Sequence, residues 1–253
     1  MGRVPPTPEK PALPTHPARV NDYDAFAEEY TAENESSIWN AYYERPAMLA
    51  LAGDVAGRRI LDVGCGSGPL FAELRDRGAV VTGLDSSVGM LELARRRLGP
   101  DADLHLADLA DPLPFPEGAF DVVVSSLVLH YLEDWTGPLA EMRRVLLPGG
   151  RLILSVNHPF DTHGMQPLSE RRLNYFTTWN WTEEWTMGGQ TVQMSFWERP
   201  LHAMTDAFTG AGFRISAISE PPPVLTAREL FPEEFSMLAT RPGFLFFSLH
   251  ADS

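Results

Sequence analysis

The residues best suited to chemistry stand in the run Asp62-Val63-Gly64-Cys65-Gly66-Ser67-Gly68 and, some twenty positions on, at Asp85. Glycines alternating with small residues let the backbone turn tightly and approach a ligand without side-chain obstruction. A carboxylate after the next apolar run can accept hydrogen bonds from both hydroxyls of a ribose. Together they describe a site for a nucleotide-like ligand at the carboxyl ends of two strands. The dinucleotide fingerprint does not fit, because the last glycine of G-x-G-x-x-G, counted from Gly64, falls on Pro69. Cys65 is the single cysteine, which excludes an intramolecular disulfide and a cysteine-based metal site, so no metal is expected. With no basic partner in the local sequence, Cys65 reads as a small neighbour of the ligand rather than a nucleophile.

A second group of reactive side chains follows later apolar runs. His130 and Tyr131 come directly after Phe120 to Ser125, and His158 stands in Val156-Asn157-His158-Pro159. Open α/β sheets bind ligands at the carboxyl ends of strands, so these three are the candidates for a base or a substrate contact. Aromatic residues are dense on either side. Tyr175, Phe176, Trp179, Trp181, Trp185 and Phe196 fall between Phe160 and Trp197, and Tyr23, Phe26, Tyr30, Trp39, Tyr42 and Tyr43 lie near the start. An ordinary surface loop needs no such density, and a flat, apolar or aromatic small molecule would be held by it.

The elements that must position these groups alternate. Arg59 to Val63, Ala79 to Leu84, Asp103 to Leu106, Phe120 to Ser125 and Arg151 to Val156 read as strands. Helical stretches run about Leu70 to Asp76, Ser87 to Leu98 and Gly137 to Leu147. Such alternation predicts a doubly wound α/β fold with a mainly parallel sheet covered on both faces. Upstream, Tyr23, Phe26, Ala27 and Tyr30 fall at helical spacing behind an Asn21 or Asp22 cap, and a second helix runs Ser37 to Ala52, restarted at Pro46. Residues 1–20 carry six prolines and few apolar groups, which predicts a tail that buries nothing. His158 to Pro200 is expected to be an insertion over the sheet, followed by a helix from Leu201 to Ala211. Phe213 to Ser219 and Gly243 to His250 then read as strands, the last antiparallel to its predecessor.

Composition limits the function classes. At 253 residues, 44% hydrophobic and 21% charged, the chain has ordinary globular proportions and the length of one large domain. The net charge of −14 repels a phosphate backbone, so nucleic acid is a poor partner. No apolar run reaches the roughly 18 to 20 residues of a membrane span, and a cytoplasmic protein without membrane association is expected.

Through Ile60-Leu61-Asp62-Val63-Gly64-Cys65-Gly66-Ser67-Gly68, Gly83-Leu84-Asp85, Ala107-Asp108-Leu109, Phe120 to Ser126 and Leu146-Leu147-Pro148-Gly149-Gly150, the chain resembles the class I S-adenosylmethionine (SAM)-dependent methyltransferases over about residues 59–156. The resemblance implies a Rossmann-like, seven-stranded, mainly parallel sheet with an antiparallel last strand. It implies an N-terminal helical lid (21–56), a SAM-binding core (57–157), a substrate-covering insertion (158–200) and a C-terminal part (201–253) within one domain. It implies that Asp62 contacts the cofactor, that the loop of Gly64, Cys65, Gly66 and Gly68 carries the methionine part, and that Asp85 holds the ribose. Asp108 and the backbone of Leu109 would meet the adenine, Ser86 and Met90 would line the adenosine pocket, and the Ser125 carbonyl would meet the methionine amino group. S-adenosylhomocysteine (SAH) would be the product.

The lid would bring Tyr23, Tyr30 and Tyr42 to the substrate, and the insertion would bring Tyr175, Trp179 and Trp185. The Arg199-Pro200-Leu201 run resembles small-molecule methyltransferases, but Glu198 precedes it where a histidine is more usual. Glu198 itself would suit a cationic or NH-bearing substrate. The expectation is methyl transfer to a small, ring-containing metabolite of specialised metabolism, by a monomer or homodimer, with His158, His130 or Tyr131 in the chemistry. The alternatives are a small carboxylic acid or thiol as acceptor, or a SAM-binding protein of this fold without methyl transfer.

Overall fold

The computed structural model describes residues 20–165, 174–187 and 189–252. The proline-rich tail expected over residues 1–20 therefore lies, Val20 apart, outside the described residues.

A seven-stranded sheet is built from β1 (Arg59–Val63), β2 (Val80–Asp85), β3 (Asp103–Leu106), β4 (Phe120–Ser126), β5 (Leu146–Asn157), β8 (Phe213–Ser219) and β9 (Phe244–Ala251). The remaining strands, β6 (Trp179–Met187) and β7 (Gln190–Glu198), form a separate antiparallel pair. Strand order in the sheet is β3-β2-β1-β4-β5-β9-β8. All neighbours run parallel except β9, which is antiparallel to both β5 and β8. The order reverses between β1 and β4, and open sheets of this kind bind ligands outside the carboxyl ends of strands at such a switch point.

Strand alternation divides the core in two. Leu61, Val63, Val123, Leu152 and Phe247 point to one face, where α5 (Thr136–Val145) and α7 (Leu201–Gly210) cover them with Leu139, Met142, Met204 and Phe208. Ile60, Val122, Val124, Ile153 and Phe246 point to the other. There α2 (Arg45–Ala52), α3 (Pro69–Asp76), α4 (Val88–Leu98) and α9 (Pro232–Leu238) contribute Met48, Phe71, Leu74, Ala94 and Leu238. Burial on both faces is why these strands read as continuous apolar runs. The Ser87 hydroxyl caps α4 by accepting from the Met90 N–H at 3.0 Å.

The N-terminal segment departs from the expected single amphipathic helix. Tyr23–Ala25 forms a 3-10 turn and α1 begins only at Ala27 (Ala27–Ser36), with Phe26 in neither helical nor extended conformation between them at φ −145°, ψ 28°. Asn21 is no cap. It sits at φ +60° and grips β7, its Nδ2 donating to the Ser195 carbonyl and its Oδ1 accepting from the Ser195 N–H. Two backbone-type hydrogen bonds to a strand outweigh the single bond a cap would make. The helix expected over Ser37 to Ala52 is continuous from Ile38, but Asn40–Glu44 winds as a π-turn before α2, with Pro46 in the first turn of α2.

The insertion after β5 is likewise not one long loop. It opens with α6 (Pro159–Met165) and closes with the β6–β7 hairpin, paired from Trp179↔Glu198 to Met187↔Gln190. The hairpin turns Met194 and Phe196 inward onto Phe26, with Tyr23, Tyr30, Tyr131, Trp181 and Trp185 packed around them. A short helix, α8 (Ala227–Leu230), completes the stretch before α9. Among the described residues no helix is long and apolar enough to cross a membrane.

Candidate active site

The backbone leaving β1 enters the switch point through Gly64 and Gly66, at φ +71° and +55°. Any side chain at Gly64 would place its Cβ 2.3 Å from Val128 Cγ2, whereas a Cβ at Gly66 would meet no protein atom within 4 Å. Gly64 is therefore required by packing. Gly66 borders open space, where backbone can approach a ligand without side-chain obstruction.

A cleft of about 830 Å³ runs from these glycines across the ends of β2 and β3. Asp85, Ser86 and Met90 line one part, and Asp108 and Leu109 close its far end. Asp85 Oδ2 accepts the Gly66 N–H at 2.8 Å and Oδ1 accepts the Ser87 N–H at 2.9 Å, so its carboxylate is held rigidly at the rim. Burial pushes the Asp85 pKa up, and these backbone bonds counter it. The Asp108 side chain closes its own turn by accepting from the Ala110 N–H. Ser125, expected to reach the ligand through its carbonyl, is fully buried with an unpartnered hydroxyl. The cleft wall begins one residue later, at Ser126.

Beneath Gly64 and Gly66 the cleft continues into a smaller cavity lined by Asp62, Glu44 and Arg45. Both carboxylate oxygens of Asp62 are buried without a hydrogen-bond partner. Burial, then the neighbouring Asp85 and Glu44 carboxylates, push its pKa up to about 8. An orphaned buried carboxylate is costly unless a donor or cation satisfies it. Glu44 is buried too, with its pKa raised by desolvation, and accepts from Ser126 Oγ at 2.8 Å and Ser155 Oγ at 2.6 Å. Arg45 faces the same space while donating to the Asn34 carbonyl and side chain. Two carboxylates and a guanidinium in one cavity are complementary to a zwitterion, an amino acid's ammonium and carboxylate. Cys65 lines this cavity as well, but burial raises its thiol well above the usual range and leaves it unreactive.

On the opposite side lies a larger cavity of about 1080 Å³. Trp181, Trp185 and Phe196 of the hairpin form one wall, and Trp39, Tyr131 and Phe244 form others. Trp181 and Phe196 rings are 5.0 Å apart, and Trp185 stacks nearly parallel on Tyr30 of α1, 6.3 Å between centroids. Tyr30 and Leu127 line all three spaces. Leu127 occupies the left-handed region at φ +56°, held there by the Ser155 carbonyl and hydroxyl, which accept from its N–H. A branched side chain is disfavoured in that conformation, and such strain concentrates at functional sites.

His130 and Tyr131 both line the aromatic cavity. His130 Nδ1 accepts the Asn157 N–H at 3.4 Å, leaving the ring proton on Nε2, which has no partner. Burial lowers its pKa to about 3. A neutral imidazole with a free N–H donates a hydrogen bond and is a poor base near neutral pH, so of the two roles expected for His130 the geometry suits a substrate contact rather than a base. The Tyr131 hydroxyl bonds to that of Tyr23, joining the N-terminal segment to the turn after β4, and burial pushes both phenols up. Asp24 adds a second attachment, its carboxylate accepting from Ser87 Oγ and from the Gly89 N–H at 2.7 Å.

His158 lies elsewhere. It is buried, donates from Nε2 to Glu220 at 2.6 Å and accepts the Phe160 N–H on Nδ1, so neither nitrogen is free for a substrate. Tyr42 packs on Phe231 and lines none of the three spaces. Tyr175 and Trp179 flank a small separate void near Arg199 and Pro200, and Glu198 stands behind Trp181, accepting its indole N–H at 3.3 Å. Desolvation brings the Glu198 pKa up to about 7. Strand alternation turns every second residue of β6 inward, and of these Trp181, Glu183, Trp185 and Met187 line the aromatic cavity while Trp179 lines the separate void.

Sequence reasoning missed Glu44, Arg45, Glu183 and Leu127. The signal for the first two was a charged pair inside an otherwise apolar helical stretch. For Glu183 it was a carboxylate in step with three tryptophans at period two.

Comparison with known proteins agrees with this geometry. A methyltransferase-domain family model matches residues 61–154. An uncharacterised protein of Haemophilus influenzae is 31% identical over 248 residues, covering 90% of this chain and 94% of its own. The demethylmenaquinone methyltransferase of Renibacterium salmoninarum is 37% identical over 139 residues, 54% of this chain and 58% of that enzyme. The chain thus spans little more than half the length of that relative. A crystal structure of an S-adenosylmethionine-dependent methyltransferase from Mesorhizobium loti superposes with a TM-score of 0.67 at 29% identity, covering 86% of this chain and 99% of that one.

Proposed function

The chain belongs to the class I SAM-dependent methyltransferases, and we propose that it transfers the methyl group to a small, ring-containing molecule held in the aromatic cavity. SAM is its cofactor, and the residues fit it. The rim carboxylate of Asp85 suits a ribose, the Asp108 end an adenine, and the Met90 thioether packs well against a flat ring. The unpartnered Asp62 oxygens, Glu44 and Arg45 suit the ammonium and carboxylate of the methionine part.

When bound, SAM supplies a methyl group on a sulfonium, an electrophile that asks the protein mainly for alignment and the exclusion of water. Tyr30 and Leu127 stand where the cofactor cleft, the zwitterion cavity and the aromatic cavity meet, and this junction is the observation that carries the proposal. The N-terminal segment, pinned by Tyr23 to Tyr131 and by Asp24 to α4, shields the junction from water. His130 donates from Nε2 to an acceptor atom of the substrate and orients it. No side chain facing the cavity needs to act as a strong base.

The test is incubation with methyl-labelled SAM and a pooled panel of indoles, phenols, amines, thiols and carboxylates, with products read by mass spectrometry against an enzyme-free control. A labelled ring compound is the expected result. Labelling of aliphatic carboxylates or thiols alone overturns the ring preference. SAM binding with no labelled product favours a SAM-binding protein that does not transfer methyl groups.

A further inference from the structure

The aromatic cavity has one feature that a purely apolar ring pocket does not need. Along β6 the inward positions are Trp179, Trp181, Glu183, Trp185 and Met187, while Asn180, Thr182, Glu184 and Thr186 face solvent. Glu183 is thus an acid at a position where the alternation calls for an apolar residue, flanked by two indoles and paired across the hairpin with the fully buried Met194. It lines the cavity. Its Oε1 accepts the Trp185 indole N–H at 2.5 Å, and Oε2 bonds to none of the described residues. No Arg or Lys among the described residues lines this space, and Glu183 has no ion-pair partner among them.

The other charges around the cavity reinforce the sign. Glu33 is a second carboxylate on the wall, and Asp161, a third, is neutralised by Arg241. His130, the sole basic side chain lining it among the described residues, is uncharged. The walls include Trp181, Trp185, Tyr30 and Tyr131, aromatic rings of the kind whose π-faces attract cations. Orienting Trp185 requires only a neutral acceptor; an uncompensated carboxylate among indoles is a recognition element for positive charge.

We infer that the acceptor cavity recognises a ring-bearing amine in its protonated form, the ring lying against Trp181, Trp185 and Phe196 and the ammonium at Glu183. This rests on the reading of the cavity as the acceptor site. It sets a carboxylate-bearing acceptor aside, since such a group would meet Glu183 and Glu33 with no cation to offset them. It also moves the cation-binding role from Glu198, which does not line the cavity, to Glu183, which does.

The experiment is calorimetric titration of the full chain, first with SAH and then, on the SAH-saturated protein, with tryptamine, 3-methylindole and indole-3-propionate as probes. SAH binding establishes the cofactor reading independently; its absence overturns that reading and with it this one. With SAH bound, tryptamine is expected to bind about tenfold more tightly than indole-3-propionate, with 3-methylindole between them. Glu183→Gln, which retains an acceptor for the Trp185 N–H, is expected to keep SAH affinity and thermal stability while abolishing the preference. Equal affinities, tighter binding of the acid, no binding of any probe, or a preference that survives Glu183→Gln each overturns the inference and leaves SAM binding intact.

Discussion

The Glu44 carboxylate accepts a 2.6 Å hydrogen bond from the Ser155 hydroxyl, fastening the π-turn of the N-terminal helix to the carboxyl-terminal part of β5 behind the cofactor cleft. Ser126 donates to the same oxygen at 2.8 Å, and the Ser155 hydroxyl in turn accepts from the N–H of strained Leu127. Glu44→Ala leaves the buried Ser155 hydroxyl and the half-buried Ser126 hydroxyl without this acceptor and should cost about 1 to 3 kcal/mol of unfolding free energy. Glu44→Gln should keep most of it. Urea denaturation of both variants decides, and a loss below about 0.5 kcal/mol for Glu44→Ala would show the bonds idle.

Asp62 makes stability depend on pH in a stated direction. Its folded pKa is raised to about 8 by burial, against about 3.9 in an unfolded chain. Between these values the folded protein holds a proton that the unfolded chain has released. Its contribution is therefore fully present below about pH 4 and is lost as pH rises towards 8. Asp62→Asn should remove this downward slope, a difference on the order of a few kcal/mol, and should also weaken SAM binding. Parallel slopes for parent and variant between pH 5 and 8 in urea unfolding would contradict the assignment.

Gly64 and Gly66 should respond oppositely to the same substitution. Gly64→Ala drives a Cβ to within 2.3 Å of Val128 and should lower the melting temperature markedly. Gly66→Ala meets no protein atom and should cost only the left-handed strain, about 1 to 2 kcal/mol. Its effect should fall instead on SAM affinity. Calorimetry showing unchanged SAM affinity for Gly66→Ala would mean that the open space serves no ligand.

The two histidines separate into different roles. His158→Ala breaks the bonds to Glu220 and Phe160, so it should reduce stability while leaving kcat and KM within about threefold. His130→Phe removes a donor and should lower kcat/KM about tenfold, whereas His130→Gln should recover most of the loss. Because the His130 imidazole is neutral down to about pH 3, the rate of the parent should show no rise through pH 6 to 7 that His130→Phe abolishes. Such a rise would restore His130 as a base.

Much of this organisation is legible in the sequence. The apolar runs ending in Gly64 and Asp85 name the switch point because strands buried on both faces leave an unbroken hydrophobic signal. Tyr23, Phe26 and Tyr30 do share a cluster, yet the helix that their spacing suggests is broken at Phe26 by the pull of Asn21 towards β7. Trp179, Trp181, Trp185 and Met187 repeat at period two, a strand signal that their aromatic character overshadowed. What no local pattern could reveal is pairing across the chain. Glu44 meets Ser155 over 111 positions, and His158 meets Glu220 over 62.

The central claim is that the methyl group leaves SAM at the Tyr30–Leu127 junction, towards the tryptophan-lined cavity. A crystal structure of the SAH complex tests it most directly. The account predicts the ribose on Asp85, the amino group on Asp62 and the sulfur at Leu127, open to Trp181 and Trp185. A sulfur facing away from that cavity, or an adenosine bound away from Asp85 and Asp108, would contradict it.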